Sequence, residues 1–549
     1  MRATATSLLL ALSAASFIGC ADGLEPAREP VAGSESELSW VAQVIWDQRD
    51  IPVCWNSPDT DFKDEKAWVR TTMRGQRSWQ NYANVRFVGW GKCPTSFTSG
   101  IRITPGNDNV VTGGLGEQTP DATEMELDFT ATPENRWTTC IDKHLDRKEC
   151  IRVTAMHEFG HAIGFAHEQL RTDTPADCTA VKRGTVPDVE WAAYDPHSIM
   201  NYCDSATQLS KVDRRGAQWI YGVADGYDPR AADYNGDGKA DLMCFDTNDG
   251  DKYIDYADAQ GTFDGTDFHQ NTSWCSGHNG VLYHGDFNGD NRDDLFCHDN
   301  HSGEMWIDYA DASGHFAGTD FNREGGWCKE QFERLYVGDF NGDGKEDILC
   351  HEGIGDATIS VDFADANGHF GGTDWRTNSN WCHATGAELY IGKFNDDGRD
   401  DLLCHNAGSG ALWIDYADGN GHFDGTDWSR TDADWCRLYT AQLFVGDFNG
   451  DAQDDILCHH MDSGAKFIDY ASPAGRFMGT DWTANLGWCT AQTSRLSVGR
   501  FNNDRRDDLL CHDIETGQMY LDYADASGQF GGTDWTRTGW CFSDPATLL

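Results

Sequence analysis

Three histidines and a glutamate are spaced to hold one metal ion and to move one proton. They stand in the run His157-Glu158-Phe159-Gly160-His161-Ala162-Ile163-Gly164-Phe165-Ala166-His167. Residues i and i+4 share one face of a helix, so His157 and His161 can offer imidazole nitrogens to a single zinc ion. Glu158, one position along, then points toward water at the open coordination position. Gly164 can take the positive φ that ends a helix and turns the chain, which lets His167 arrive as the third ligand. Three neutral imidazoles leave the ion its charge, and water held at such a centre has a pKa near about 7. The bland alternative is a helix with satisfied surface histidines. Five fixed positions at this spacing arise by chance in only about one in several thousand chains of this length.

A second segment, Ser198-Ile199-Met200-Asn201-Tyr202, resembles the methionine turn that lies beneath the metal in metzincins. Glu168 directly follows the third histidine and Tyr202 stands two residues after Met200, and in both respects residues 40–223 resemble the astacin family of zinc endopeptidases. The resemblance implies an α+β metzincin catalytic domain with one catalytic zinc on His157, His161 and His167. It implies Tyr202 as a further ligand that swings away when substrate binds and donates a hydrogen bond to the tetrahedral oxyanion. Glu158 would be the general base and then the general acid, and Met200 a packing floor. The substrate would be a protein or peptide, extended along a strand over residues 124–129. In astacins the glutamate after the third histidine pairs with an amino terminus freed by propeptide removal. Here either a cleavage between Ala21 and Trp40 supplies that amine, or Glu168 finds another partner such as Arg171.

These groups need elements to position them. Apolar residues at Ala67, Trp68, Val69, Met73, Trp79 and Tyr82 predict a helix over 65–82, and a second helix runs from Ile151 to about Phe165, stopped by Gly164. Strands are expected at 41–46, 51–55, 101–104 and 124–129. In the last of these Met125, Leu127 and Phe129 alternate with acidic residues, as in a half-buried edge strand.

From about residue 224 the chain repeats itself. The phrase Asp-Tyr-Asn-Gly-Asp-Gly-Lys-Ala-Asp from Asp233 recurs in variant form from Asp286, Asp339, Lys393, Asp447 and Arg500. A period near 50 with short strands and glycine-rich turns predicts propeller blades, because stacking around an axis buries both faces of each small sheet. Six copies predict six blades, an all-β propeller following the catalytic domain. The phrase resembles the calcium loop of FG-GAP repeats, the blades of integrin-type propellers, with oxygen ligands at positions 1, 3, 5 and 9. Those residues are Asp233, Asn235, Asp237 and Asp241; Asp286, Asn288, Asp290 and Asp294; Asp339, Asn341, Asp343 and Asp347; and Asp447, Asn449, Asp451 and Asp455. The first three copies carry Gly238, Asn291 and Gly344 at position 6, and the fourth carries Ala452, which should weaken it. Lys393 and Arg500 put a cation where the first ligand belongs and are expected to pair with their loops' remaining carboxylates. Three or four calcium ions are therefore expected, against a plain alternative of metal-free Asx turns. Each copy also ends in Trp-Cys, at Trp274, Trp327, Trp381, Trp435, Trp488 and Trp540. These rings suit either core packing or stacking on a polysaccharide, so the propeller reads as a module for a protein or polysaccharide ligand.

The N-terminus has Arg2, an apolar stretch from Leu8 to Ile18, and Cys20, the layout of an export signal. Phe17-Ile18-Gly19-Cys20 resembles a bacterial lipobox, which would make residues 1–20 a lipoprotein signal, Cys20 the acylated residue and 21–39 a flexible linker. Cysteine parity agrees: of 19 cysteines, Cys20 is the odd one beside six from Cys54 to Cys203 and twelve from Cys244 to Cys541. Proximity suggests a bond between Cys140 and Cys150, and pairing within or between blades is open. Eighteen cysteines fit an oxidising location, either the bacterial cell envelope or outside the cell. The net charge of −48 excludes nucleic acid, and leaves lipid on Cys20 as the expected membrane contact. A competing reading is an adhesin or lectin-like protein whose protease domain is vestigial. The intact zinc-binding run and Tyr202 argue against such decay.

Overall fold

The computed structural model describes the chain from residue 37 onward except for short stretches, the longest being 113–122, 131–139, 179–188 and 222–229. Residues 1–36, with Cys20, the signal and most of the linker, fall outside the described residues. Within the span read as a linker, strand β1 (Glu37–Trp40) already pairs with a later strand over Val189–Ala192. Of the strand expected at 41–46, only Ile45 and Trp46 are described, and they are not strand.

A five-stranded sheet forms from β2 (Asp50–Trp55), β3 (Arg86–Lys92), β4 (Ile101–Gly106), β5 (Val111–Thr112) and β6 (Thr123–Asp128), in the order β3-β2-β4-β6-β5. The first four in that order run parallel and β5 runs antiparallel to β6. One correction follows: β6 is not the sheet edge along its whole length, because β5 pairs with it at Met125 and Glu126 and becomes the outer strand. An extended ligand at that edge would meet β5.

The helix expected over 65–82 is two helices, α1 (Lys63–Arg74) and α2 (Trp79–Tyr82). Ser78 between them is extended at φ −98° and ψ 164°, which no continuous helix contains. Helix α3 (Arg147–Ala162) starts at Asp146, whose side chain accepts from Glu149 N, and α4 (Lys211–Tyr221) follows Ser210. Ile51, Val53, Phe87, Ile101, Ile103, Met125 and Phe159 are buried in one core between the sheet and α3. Three bonds pair the six cysteines of this part: Cys54–Cys93, Cys140–Cys150 and Cys178–Cys203.

The repeats form a six-bladed β-propeller of four-stranded antiparallel sheets. Blade 1 comprises Leu242–Asp246, Asp251–Asp255 and Phe268–Asn271, and its fourth strand is Ala546–Leu548 from the other end of the chain. Blades 2 to 6 begin at Gly280, Glu333, Ala387, Ala441 and Ser494 and end at Arg323, Asn378, Arg430, Asn485 and Arg537. Cys244–Cys541 ties the two ends of the ring across 297 residues. The other five bonds, such as Cys275–Cys297, join the cysteine ending one repeat to the first cysteine of the next, 22 residues on. The cysteines therefore pair between successive repeats.

Candidate metal centre

Helix α3 carries His157 and His161 one turn apart, and a glycine turn brings in His167. Gly164 has φ +99°. Its N–H donates to His161 O and the N–H of Phe165 donates to Gly160 O, so the helix ends in a Schellman turn. That turn aims Phe165 O at His161 Nδ1, 2.7 Å away, and Ile199 O receives His157 Nδ1 at 2.7 Å. With Nδ1–H donating to a carbonyl in each ring, the lone pair is left on Nε2. The Nε2 atoms converge: His167 Nε2 lies 3.2 Å from His157 Nε2 and 3.0 Å from His161 Nε2. Burial holds both helical imidazoles neutral, His157 well below its ordinary pKa and His161 lowered to about 4. Three imidazole nitrogens converging on one point, two of them on neutral rings, match the donor set of a zinc ion, so the residues present fit that ion.

Glu158 is buried beside this cluster. Tyr202 stacks on His157 at 5.2 Å between ring centroids and lies 4.4 Å from the His167 ring. Burial and the Glu158 carboxylate raise the phenol pKa well above its usual value, so at neutral pH it is a hydrogen-bond donor. Met200 packs under α3, where a Cβ on Gly160 would press on its sulfur and on Trp79.

Asp213 supports this arrangement and has no place in the zinc-site motif. Wholly buried at the start of α4, it accepts from Ser198 Oγ at 2.6 Å, Ile199 N at 2.8 Å and Ser210 N at 2.9 Å. Ser210 Oγ accepts from Asp213 N in return, a reciprocal cap, so Asp213 pins the turn whose Ile199 carbonyl orients His157. Burial raises its carboxyl to about 7. A Ser-x-x-Asp cap is visible in sequence, but its link to the histidines is not.

Glu168 is buried and meets the Arg171 guanidinium at 3.4 Å and the N–H of Asp195 at 2.8 Å. Burial raises its carboxyl to about 8, with Arg171 pulling the other way. Arg171, one of the two partners expected for Glu168, is thus in place.

In the propeller each blade contacts the next through its loop: the N–H at position 8 of one repeat donates to the carbonyl at position 1 of the repeat before, as Asp293 N does to Asp233 O. Residues 286–350 match the model of the FG-GAP-like repeat. No curated protein matches the sequence. Among solved structures, a lectin of Agrocybe aegerita, titled for recognition of non-reducing terminal N-acetylglucosamine, is 16% identical over 58% of this chain and 83% of its own, with a TM-score of 0.42. Myroilysin is 21% identical over 33% of this chain and 98% of its own, with a TM-score of 0.24. Both scores are too low to carry a conclusion about function.

The FG-GAP-like loops are closed by their own hydrogen bonds. Asp233 accepts from the N–H groups of Gly236, Asp237 and Gly238, and Asp286, Asp339 and Asp447 repeat the pattern. Asp237, Asp290 and Asp343 pair with the Lys or Arg two residues on. The position-9 aspartates accept backbone N–H groups, as Asp241 does from Ala257. In each of these loops the first aspartate thus closes an Asx turn on its own backbone. Position 6 has positive φ as expected, including Asn291 at 64° and Ala452 at 72°.

One expectation is corrected here. Lys393 and Arg500 do not pair with the ligand carboxylates of their own loops. Arg500 lies 3.6 Å from Asp507, at position 8, and 3.7 Å from Asp447 of the preceding repeat. Lys393 is held charged by Asp400 first, then Glu346 and Asp454. Of the two roles open to the six repeat tryptophans, the structure shows core packing. All are 1% to 8% exposed, and each Nε1–H donates to a threonine of the next blade at 2.9 to 3.1 Å, from Trp274 to Thr319 around to Trp540 to Thr266.

Proposed function

We propose that the chain is an exported zinc-dependent endopeptidase of the astacin type, carried with a six-bladed FG-GAP-like propeller that holds it near its protein or polysaccharide target. The observation that carries the reading is the convergence of three Nε2 atoms, each helical histidine locked by a backbone carbonyl, beside buried Glu158. The zinc would be held by His157, His161 and His167, with Tyr202 adjoining, and when bound it supplies Lewis acidity toward the scissile carbonyl and the attacking water.

Glu158 takes the proton of the attacking water and returns it to the leaving amine. The Tyr202 phenol, kept protonated by burial, donates to the oxyanion. Asp213 and Ile199 hold His157 in orientation and Gly164 sets His167. An extended peptide adds beside β5, the outer strand of the sheet. Nine disulfides favour an oxidising location outside the cytoplasm, and acylation of Cys20 would tether the chain to a membrane. The loops from Asp233, Asp286, Asp339 and, more weakly, Asp447 are proposed to take calcium by rearranging their Asx turns.

The test is digestion of a mixed peptide library with and without a zinc chelator, with products identified by mass. Internal cleavages that vanish with chelator and return with zinc support the reading. A library left intact under all conditions contradicts it.

A further inference from the structure

Two helices carry the supports of the helical histidines, and the same two touch the propeller. Helix α2 lies behind α3: Trp79 Nε1 donates to Met156 O at 2.8 Å, and the indole stacks on Phe165 at 5.0 Å between ring centroids. Phe165 is the residue whose carbonyl orients His161. Near the start of α4, Asp213 holds the Ile199 turn that orients His157. At its other end the Tyr221 phenol donates to Ile163 O at 2.6 Å, one residue before the Gly164 turn. Arg214 ties the helices together, buried on α4 with its guanidinium 4.7 Å over the Tyr82 ring of α2.

Each helix ends on the propeller. The phenol of Tyr82, last residue of α2, donates to Met461 Sδ at 3.7 Å, and both side chains are 3% exposed. The carbonyl of Tyr221, last residue of α4, accepts from Asn300 Nδ2 at 3.4 Å. Met461 and Asn300 hold the same place in their repeats, directly after the second strand: Met461 follows Asp455–His460 and Asn300 follows Asp294–Asp299. They belong to blades 5 and 2, which stand opposite each other in a ring of six. A thioether is a poor acceptor and the amide bond is long, so neither contact is strong alone. Their effect lies in placement, because two contacts on opposite sides of a ring resist rotation, where a single one would serve as a pivot.

We propose, resting on the reading that the three histidines hold zinc, that the turns of blades 2 and 5 are positioning elements of the metal site. Met461 acts through Tyr82 and α2 on the Phe165 carbonyl that orients His161. Asn300 acts through Tyr221 and α4 on the Gly164 turn and on the Ile199 carbonyl that orients His157. The propeller is then a brace for the catalytic domain, whatever ligand it holds.

The experiment uses the full-length protein. Met461→Lys and Asn300→Asp part the two contacts, Met461→Leu keeps an apolar side chain at the first, and Ser409→Lys, at an exposed residue of blade 4, is the control. Zinc affinity is measured by competition with a chelator, and amide hydrogen exchange of the zinc-free protein is followed over residues 163–168 and 197–202. Zinc binding roughly fivefold weaker is expected in Met461→Lys and in Asn300→Asp, less than the about 10- to 100-fold lost with a group bonded to a ligand itself. Both segments should exchange faster in these variants while the propeller strands keep wild-type exchange. Met461→Leu should recover most of the affinity, and Ser409→Lys should match the wild type. Wild-type affinity and exchange in both parted variants overturn the proposal, as does an equal loss in Ser409→Lys. A wild type that takes up no zinc fails the catalytic reading instead, and the exchange of the zinc-free variants then decides this one. Should Met461→Lys fail to fold, Asn300→Asp on the opposite blade decides.

Discussion

His157 and His161 owe their orientation to the carbonyls of Ile199 and Phe165, and backbone acceptors leave no mark in a motif. The i, i+4 histidine pair is legible because helix geometry is regular; the groups that lock each ring are legible only once the chain has turned back at Gly164 and at Ser198. Gly160 has a similar hidden constraint. A methyl group there would press on Met200 and Trp79, and such overpacking costs about 1 to 3 kcal/mol. Gly160→Ala should therefore lower the melting temperature measured by calorimetry, and an unchanged melt would show that Met200 relaxes freely. Tyr202→Phe removes the phenol beside the histidines while keeping its ring stacking. Steady-state kinetics should show kcat falling with KM little changed, since the bond forms chiefly in the transition state. A change confined to KM would give Tyr202 a role in substrate binding instead.

At the scale of elements, repetition is the most legible signal in the chain, and it yields six blades because each phrase begins the same hairpin. The helix at 65–82 misleads because the apolar spacing continues past a break at Ser78. The edge strand misleads because two residues, Val111 and Thr112, are too short a run to register as a strand. Repeat loops read alike in sequence, yet Lys393 and Arg500 turn toward position-8 carboxylates and leave their loops without a first ligand. A count of bound calcium on the full-length protein by native mass spectrometry should thus give three or four ions, with Ala452, strained by about 1 kcal/mol at φ 72°, marking the weakest site. Six ions would mean that the cations are displaced. None would leave all the loops as the Asx turns they form without metal.

Across the whole molecule, the propeller is a ring closed by its last strand and by one covalent bond. Ala546–Leu548 completes blade 1, and Cys244–Cys541 spans 297 residues. Chain-entropy reasoning gives such a link up to about 5 kcal/mol, more than bonds that close short loops. Cys541→Ser should lower the melting temperature of the propeller more than Cys328→Ser, which opens a bond between residues 22 apart; equal losses would show that strand pairing alone closes the ring. The closing strand is not legible from one repeat; it emerges when the six copies are laid around one axis.

The central claim is that this chain hydrolyses peptide bonds at a zinc ion held by His157, His161 and His167, with Glu158 moving the proton. Zinc per chain and cleavage of a peptide from the library should be measured together on the wild type and on Glu158→Ala. The account predicts one zinc in each protein, with the variant cleaving at no more than about 1% of the wild-type rate, since loss of a general base costs about 10² to 10⁴-fold. A wild type that binds zinc and cleaves nothing, or a Glu158→Ala variant that cleaves at a comparable rate, would contradict it.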